Sequence, residues 1–307
     1  MNPAPSTHFS LPTLAGQAPL ALFQLTGAEG RQFLHGILSQ DIDGLAPGQG
    51  VLACLLTPKG KLVSTVFVSA RADDLLLLTP LEGAAPFAKE MKNYLAVGNC
   101  VLEELADSGA LFSMGVPPGA ISGVEFFPVT DRLLGKPGHV AVIPTEAVWT
   151  SLQTVLGPSF PAGVIDTQGF EILRVEGGVP RLGVDISEAV YPPEINLTET
   201  LHASKGCYVG QEVIARLMNF GKPHRQLAGL KLPERIEPAR PVFWNDEPAG
   251  ILTSMVQSPA LGGYLGMALL RREASVPGEK VKLQAPSGTV SAEIVSLPLP
   301  WITLDPI

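Results

Sequence analysis

The alternation of apolar and polar positions divides the chain into many short elements. Leu20-Ala-Leu-Phe-Gln-Leu-Thr26 is a short apolar run stopped by Gly27 and reads as a strand. Over Arg31–Leu38 the apolar positions Phe33, Leu34, Ile37 and Leu38 return at helical spacing. Val51–Leu56 and Leu62–Val68 are strands, and Thr57-Pro-Lys-Gly60 between them has the proline and glycine of a tight turn. A further strand, Leu75–Thr79, follows Asp73-Asp74, and Phe87–Leu95 reads as a helix. Strands and turns alternate from Cys100 to about Ile143, and Thr145–Leu156 reads as a helix. The first 19 residues read as an extended arm and residues 161–169 as a loop. Phe170–Val175 fits helix or strand equally well. Residues 182–199 are loop-rich, and Tyr208–Leu217 is a helix candidate just after Lys205-Gly206.

Beyond Pro223 the pattern changes to six short β-type runs: Gln226–Leu232, Pro241–Trp244, Gly250–Gln257, Gly263–Leu269, Lys280–Leu283 and Thr289–Val295. Close spacing of that kind predicts a small barrel or sandwich. It places a boundary near residue 224.

Composition narrows the class. Of 307 residues, 46% are hydrophobic and only 16% charged, the opposite of a disordered chain. Three widely separated cysteines, Cys54, Cys100 and Cys207, exclude a disulfide scaffold and a four-cysteine metal site, and fit a reducing compartment. No Lys or Arg precedes Arg31, and no apolar run approaches the ~18 residues of a membrane span. The expectation is a soluble, cytoplasmic protein. The net charge of −8 disfavours direct nucleic-acid binding. Residues 205–240, with seven cations and three acids, carry +4 against that background. This is a solvated basic face or a site for an anionic ligand.

The densest chemistry lies in Lys205-Gly-Cys-Tyr-Val-Gly-Gln-Glu-Val-Ile-Ala-Arg216. If the helix starts at Tyr208, Cys207 sits at its N-terminus, with Lys205 two residues upstream. Both would favour a thiolate. Such a thiol could be a nucleophile, a redox group or a single ligand to a shared metal; a small gap-filling cysteine is the bland alternative. Cys54 and Cys100 read as core residues. His202 lies close enough in sequence to Cys207 to be considered as its base, with a surface or otherwise satisfied histidine as the favoured alternative. The remaining histidines show no metal-ligand spacing with cysteines or carboxylates. Glu194, in Tyr191-Pro-Pro-Glu-Ile-Asn196, sits in a stretch stiffened by prolines. A carboxylate held there could accept one hydrogen bond per oxygen from a 2-aminopyrimidinone-like ring. A solvated loop carboxylate is the other reading.

Lys205-Gly-Cys-Tyr-Val-Gly-Gln-Glu212 resembles the signature of the YgfZ-type folate-binding proteins. Phe33–Asp41 through Leu55–Lys61 resembles the N-terminal block of that family. Leu173–Asp185 followed by Pro193-Glu194 resembles its central block. The wider superfamily includes the glycine-cleavage T-protein, an aminomethyltransferase. The resemblance implies an α+β, ring-like, multi-domain T-protein fold around a tetrahydrofolate channel. Residues 1–224 would form the folate-binding region, of two interleaved α+β subdomains, and 225–307 a C-terminal β-barrel. It implies tetrahydrofolate or a derivative as cofactor and iron–sulfur proteins or their assembly factors as partners, with a role in tRNA thiomethylation through them. Glu194 matches the glutamate that holds the pterin. Phe170, Tyr208 and Arg216 are assigned to the cofactor, and Cys207 with Lys205 to the reactive centre.

Two departures qualify this. Where the T-protein carries paired aspartates, this chain has Ser64 and Thr65, neither of which can act as a general base at neutral pH. Aminomethyl transfer is therefore disfavoured, and a folate-dependent one-carbon transferase stands as the alternative. Where some YgfZ-type proteins place tryptophans against the folate, the matching positions are Leu20 and Phe170.

Overall fold

The structure, a computed structural model, describes residues 14–96, 99–114, 124–157, 163–186 and 190–300. A five-stranded antiparallel sheet has the order β3-β4-β5-β2-β6, built from β2 (Leu20–Thr26), β3 (Gly50–Leu56), β4 (Leu62–Ala70), β5 (Leu75–Pro80) and β6 (Val101–Glu104). Its central strands are apolar at consecutive positions because both faces are covered. Phe23, Leu25, Leu75 and Leu77 point to one face, under α1 (Gly30–Ile37) and α2 (Leu81–Leu95). Leu20, Leu22, Leu76 and Leu78 point to the other.

That second face packs on a four-stranded sheet of order β1-β7-β9-β8, made of β1 (Leu14–Ala18), β7 (Ser108–Met114), β8 (Phe126–Val129) and β9 (Gly138–Pro144). Phe67, Phe112 and Phe127 fill the space between the sheets, with Phe67 and Phe127 stacked at 6.1 Å. The far face of the second sheet buries Leu111, Ala141 and Ile143 under α4 (Val148–Leu156). The layers therefore run helix, sheet, sheet, helix.

From Arg225 onward six antiparallel strands close into a barrel, in the order β10-β13-β12-β11-β14-β15. They are β10 (Arg225–Leu232), β11 (Arg240–Trp244), β12 (Glu247–Ser258), β13 (Gly263–Arg271), β14 (Lys280–Ala285) and β15 (Gly288–Val295). Inward residues such as Leu230, Val242, Leu252 and Leu283 fill its interior. All six β runs read from the sequence are present, and closure removes the edges a sandwich would leave.

Two helices join the layers to the barrel. α5 (Thr167–Gly177) begins at Asp166, whose Oδ1 accepts the Gly169 N–H at 2.8 Å. It crosses α3 (Asp131–Leu134) so closely that a Cβ on Gly135 would run into the Leu173 carbonyl. α5 is pinned to the barrel by a buried network. Arg174 donates to Asp185 at 2.7 Å and to Ser254 at 2.7 Å, and Ser254 in turn donates to Asp185. The second joining helix, α6 (Gln211–Phe220), packs Ile214 beside Cys54, Leu56, Ile195 and Tyr208, at the junction of the first sheet with the barrel.

Four expectations change. The arm contributes a strand, β1, paired with β7, within its last residues; residues 1–13 lie outside the described residues. α2 begins at Leu81 rather than Phe87, because its buried stripe of Phe87 and Met91 continues upstream to Gly83 and Pro86 is carried inside the helix. Phe170–Val175 is helical, within α5, whose start at Thr167 also takes in the last three residues of the expected 161–169 loop. The start of α6 falls three residues later than Tyr208. Gly210 stands at φ +80°, and a Cβ there would lie 2.6 Å from the Thr57 carbonyl of the β3–β4 turn. Tyr208 instead turns its ring into the junction core.

Candidate functional site

Two adjoining cavities lie where the first sheet, α3, α5 and the segment 179–197 meet. The outer one, about 270 Å³, has an apolar wall of Leu20, Pro80, Leu133, Leu134, Phe170 and Pro180. Phe170 is held by α5 and by Phe112, whose ring centroid is 5.9 Å away. Charged side chains close the rim: Glu82, Glu171, Arg174 and Arg181. The inner cavity shares Pro80, Val179 and Pro180 with the outer one and reaches Leu62, Thr65, Arg132, Ile195 and Leu197. At about 20 Å³ it has room for about one water. Ligand pockets of drug size run to ~300–1,000 Å³, so the outer cavity, just below that range, has room for an aromatic ring as it stands. The inner one takes a ring only if its walls part.

Among the described residues no carboxylate, histidine or lysine lines the inner cavity. Thr65 faces it, whereas Ser64 is fully buried on the opposite side of β4, where its hydroxyl meets that of Thr79 at 2.7 Å. The alternation of a strand separates the two residues.

Glu194 sits in a 3-10 turn, Pro192–Ile195, whose two prolines occupy its first positions. Its side chain is not solvated, as the residue is 4% exposed. Oε2 accepts the Tyr191 N–H at 2.9 Å, and Oε1 accepts from Arg225 Nε at 3.3 Å. Asn196 extends the seam, donating to the Leu227 carbonyl at 3.0 Å. The carboxylate thus ties the turn to β10, while the next residue, Ile195, lines the inner cavity. Each oxygen keeps one further acceptor site.

The Lys205–Arg216 run is divided. Cys207 is exposed and lies outside α6, so the helix N-terminus is four residues from it. Lys205 is half-buried; its ammonium donates to the His35 carbonyl while His35 Nε2 pairs with the Lys205 carbonyl at 2.9 Å. Burial lowers the Lys205 pKa to about 8, against the opposing pull of Asp41 and Asp43. The Lys205 Nζ also stands 5.3 Å from the centroid of the Tyr208 ring. Tyr208 is buried, and burial raises its pKa. Arg216, with a side chain 79% exposed, lies on the solvent side of α6 and lines neither cavity. The structure brings Lys205, Cys207 and Tyr208 together in one surface segment. Phe170, Glu194 and Arg216 lie at three other places.

Of the remaining cysteines, Cys54 is fully buried beside Thr200 Oγ1 at 3.0 Å, and desolvation pushes its thiol up to about 12. Cys100 is half-buried against the core under α1 and α2. Among the described residues no group of three or more His, Cys, Asp or Glu side chains could hold a metal ion. No helix there is long and apolar enough to cross a membrane. Sequence reasoning missed Arg132, Arg181 and His35. Arg132 meets Glu199, Arg181 meets Glu82 and His35 meets Lys205 across long stretches of chain, and no local spacing marks those contacts.

Residues 225–299 match the family model of the Glycine cleavage T-protein C-terminal barrel domain. The crystal structure of glycine cleavage system aminomethyltransferase T from Bartonella henselae superposes with a TM-score of 0.80. That alignment covers 94% of this chain and 86% of the other at 20% identity. An aminomethyltransferase of Listeria monocytogenes is 24% identical over 299 residues, 89% of this chain and 82% of that protein. A chloroplastic putative transferase of Arabidopsis thaliana is 23% identical over 294 residues, 87% of this chain and 67% of the relative. Together these similarities support the T-protein-like superfamily as the class of this chain. The fold is the mixed α and β aminomethyltransferase T-protein fold with its closed C-terminal barrel.

Proposed function

We propose that this protein is a tetrahydrofolate-binding accessory factor that supports assembly or repair of iron–sulfur enzymes, including those that thiomethylate tRNA. One observation carries the reading: among the described residues the inner cavity is lined by a threonine, and by no carboxylate, where proton-transfer chemistry on an amine would need one. A ligand there would be held rather than turned over. Its benzoyl ring would lie against Leu20 and Phe170, and its pterin would sit inward, next to the Glu194 turn. The iron–sulfur role rests on the Lys205–Glu212 signature, which leaves Cys207 exposed and able to meet a partner. A single thiol cannot complete a cluster, so the partner supplies the other ligands.

Complementation tests this. In a bacterium lacking its YgfZ-type protein, the wild-type chain restores tRNA thiomethylation. Cys207→Ala folds and binds tetrahydrofolate by calorimetry but does not restore it. Full rescue by Cys207→Ala would remove the thiol from the mechanism.

The names of the full-length relatives favour a second reading, folate-dependent one-carbon transfer. It predicts methylene-tetrahydrofolate from a panel of methylated amines, and no product from that panel would exclude it.

A further inference from the structure

Among the described residues four buried side-chain polar atoms have no hydrogen-bond partner: Ser113 Oγ, His139 Nδ1, Arg132 Nη1 and Arg181 Nε. The first two face each other across β7 and β9. The two arginines line the two adjoining cavities, Arg132 the inner and Arg181 the outer.

A guanidinium N–H left without an acceptor away from water is costly, more so than a neutral donor. This molecule satisfies such groups where they serve the fold. Arg174, on the same cavity wall, spends its donors on Glu171, Asp185, Ser254 and the Val179 carbonyl. Arg132 is held at one edge only, by Nε against Glu199 Oε1 at 2.6 Å. Arg181 reaches Glu171 through Nη1 at 3.3 Å. Its Nε lies 3.6 Å from Glu82, close enough for an ion pair and too far for a hydrogen bond. In both residues a carboxylate fixes the side chain while another nitrogen is left for an acceptor.

We propose that Arg132 and Arg181 are the two donors of one elongated site spanning both cavities, for a ligand with an oxygen acceptor near each end. This rests on the folate reading and orients the ligand. Ile195 and the Glu194 turn border the inner cavity, so Arg132 takes the ring oxo group. Arg181 takes a carbonyl or carboxylate of the benzoylglutamate end.

Calorimetry with 5-formyltetrahydrofolate and with 6-methyltetrahydropterin, a reduced ring without the tail, tests the assignment. Arg132→Met weakens both ligands about tenfold to hundredfold, as loss of a hydrogen bond to a charged donor implies. Arg181→Met weakens 5-formyltetrahydrofolate by a similar factor and leaves 6-methyltetrahydropterin within about twofold, since that ligand does not reach the outer donor. If either methionine variant fails to fold by circular dichroism, the lysine variant, which keeps the charge and loses the fork, replaces it; the same ligand selectivity is expected. Wild type binding both ligands with the variants unchanged overturns the arginine assignment alone. Wild type binding neither overturns the folate reading and this site with it.

Discussion

Replacing Glu194 by glutamine keeps the shape of a nearly buried side chain and removes the charge that joins the 191–196 turn to the barrel. Breaking a fully buried ion pair costs ~3–5 kcal/mol, and an exposed pair is worth ~0–1 kcal/mol. Glu194 stands at the buried limit, but the Arg225 side chain is 29% exposed, so water screens its end of the pair. The intermediate value is about 2 kcal/mol, or roughly 3 °C in melting temperature for a chain of 307 residues. The effect on ligand is separate. A carboxylate can accept from two ring N–H groups, whereas the glutamine amide presents donors to one of them. The mismatch predicts about a hundredfold loss in tetrahydrofolate affinity. Thermal unfolding and calorimetry on the same preparation read both quantities. A lowered melting temperature with unchanged affinity would leave Glu194 as a strut between turn and barrel and refute its contact with the ring. An unchanged melting temperature would refute the energetic reading of the Arg225 pair.

Iodoacetamide should alkylate Cys207 first in the native protein and reach Cys54 only on unfolding, because the one is exposed and the other is buried with its thiol near 12; mass spectrometry of the labelled peptides decides, and early Cys54 labelling would contradict the packing. Lys205 should acylate with a midpoint near pH 8. Because its folded pKa lies below the 10.5 of an unperturbed lysine, its protonation favours the unfolded chain. This group's contribution to stability therefore rises between about pH 8 and 10.5 and is unfavourable below that window, as urea titrations at several pH values will show. Gly210→Ala should destabilise by about 2–4 kcal/mol, since the residue combines a left-handed backbone with a close approach to Thr57; circular dichroism during urea unfolding measures this. A value under about 1 kcal/mol would show that the turn yields easily.

How much of this was legible in the sequence depends on range. The barrel strands and the leucine run of β5 were readable because their periods are local and their burial is two-sided or alternating. Glu194 was noticed for the prolines before it, and its place in a 3-10 turn follows from them; its partner Arg225 is thirty-one residues away and carries no mark. The start of α6 was misplaced because Gly206 and Gly210 are equally plausible as entry points in sequence. Only the packing of Gly210 on the β3–β4 turn chooses between them. That choice moved Cys207 away from the helix N-terminus and weakened the dipole argument for its reactivity. Ser64 and Thr65 were paired by their position in the chain, yet opposite faces of β4 give only Thr65 access to the cavity. Arg132 and Arg181 acquire meaning only from the atoms that do not meet them.

An interior space with room for about one water also constrains the kinetics of whatever enters it. A pre-formed pocket fills at a rate that keeps rising with ligand concentration. Here the wall between Thr65 and Ile195 must first part, so the observed rate should climb and then level off at the rate of opening. The plateau is a property of the protein and should be the same for every ligand whose ring enters the inner cavity. Stopped-flow traces would then time a motion of the junction where the first sheet, the Glu194 turn and the barrel meet.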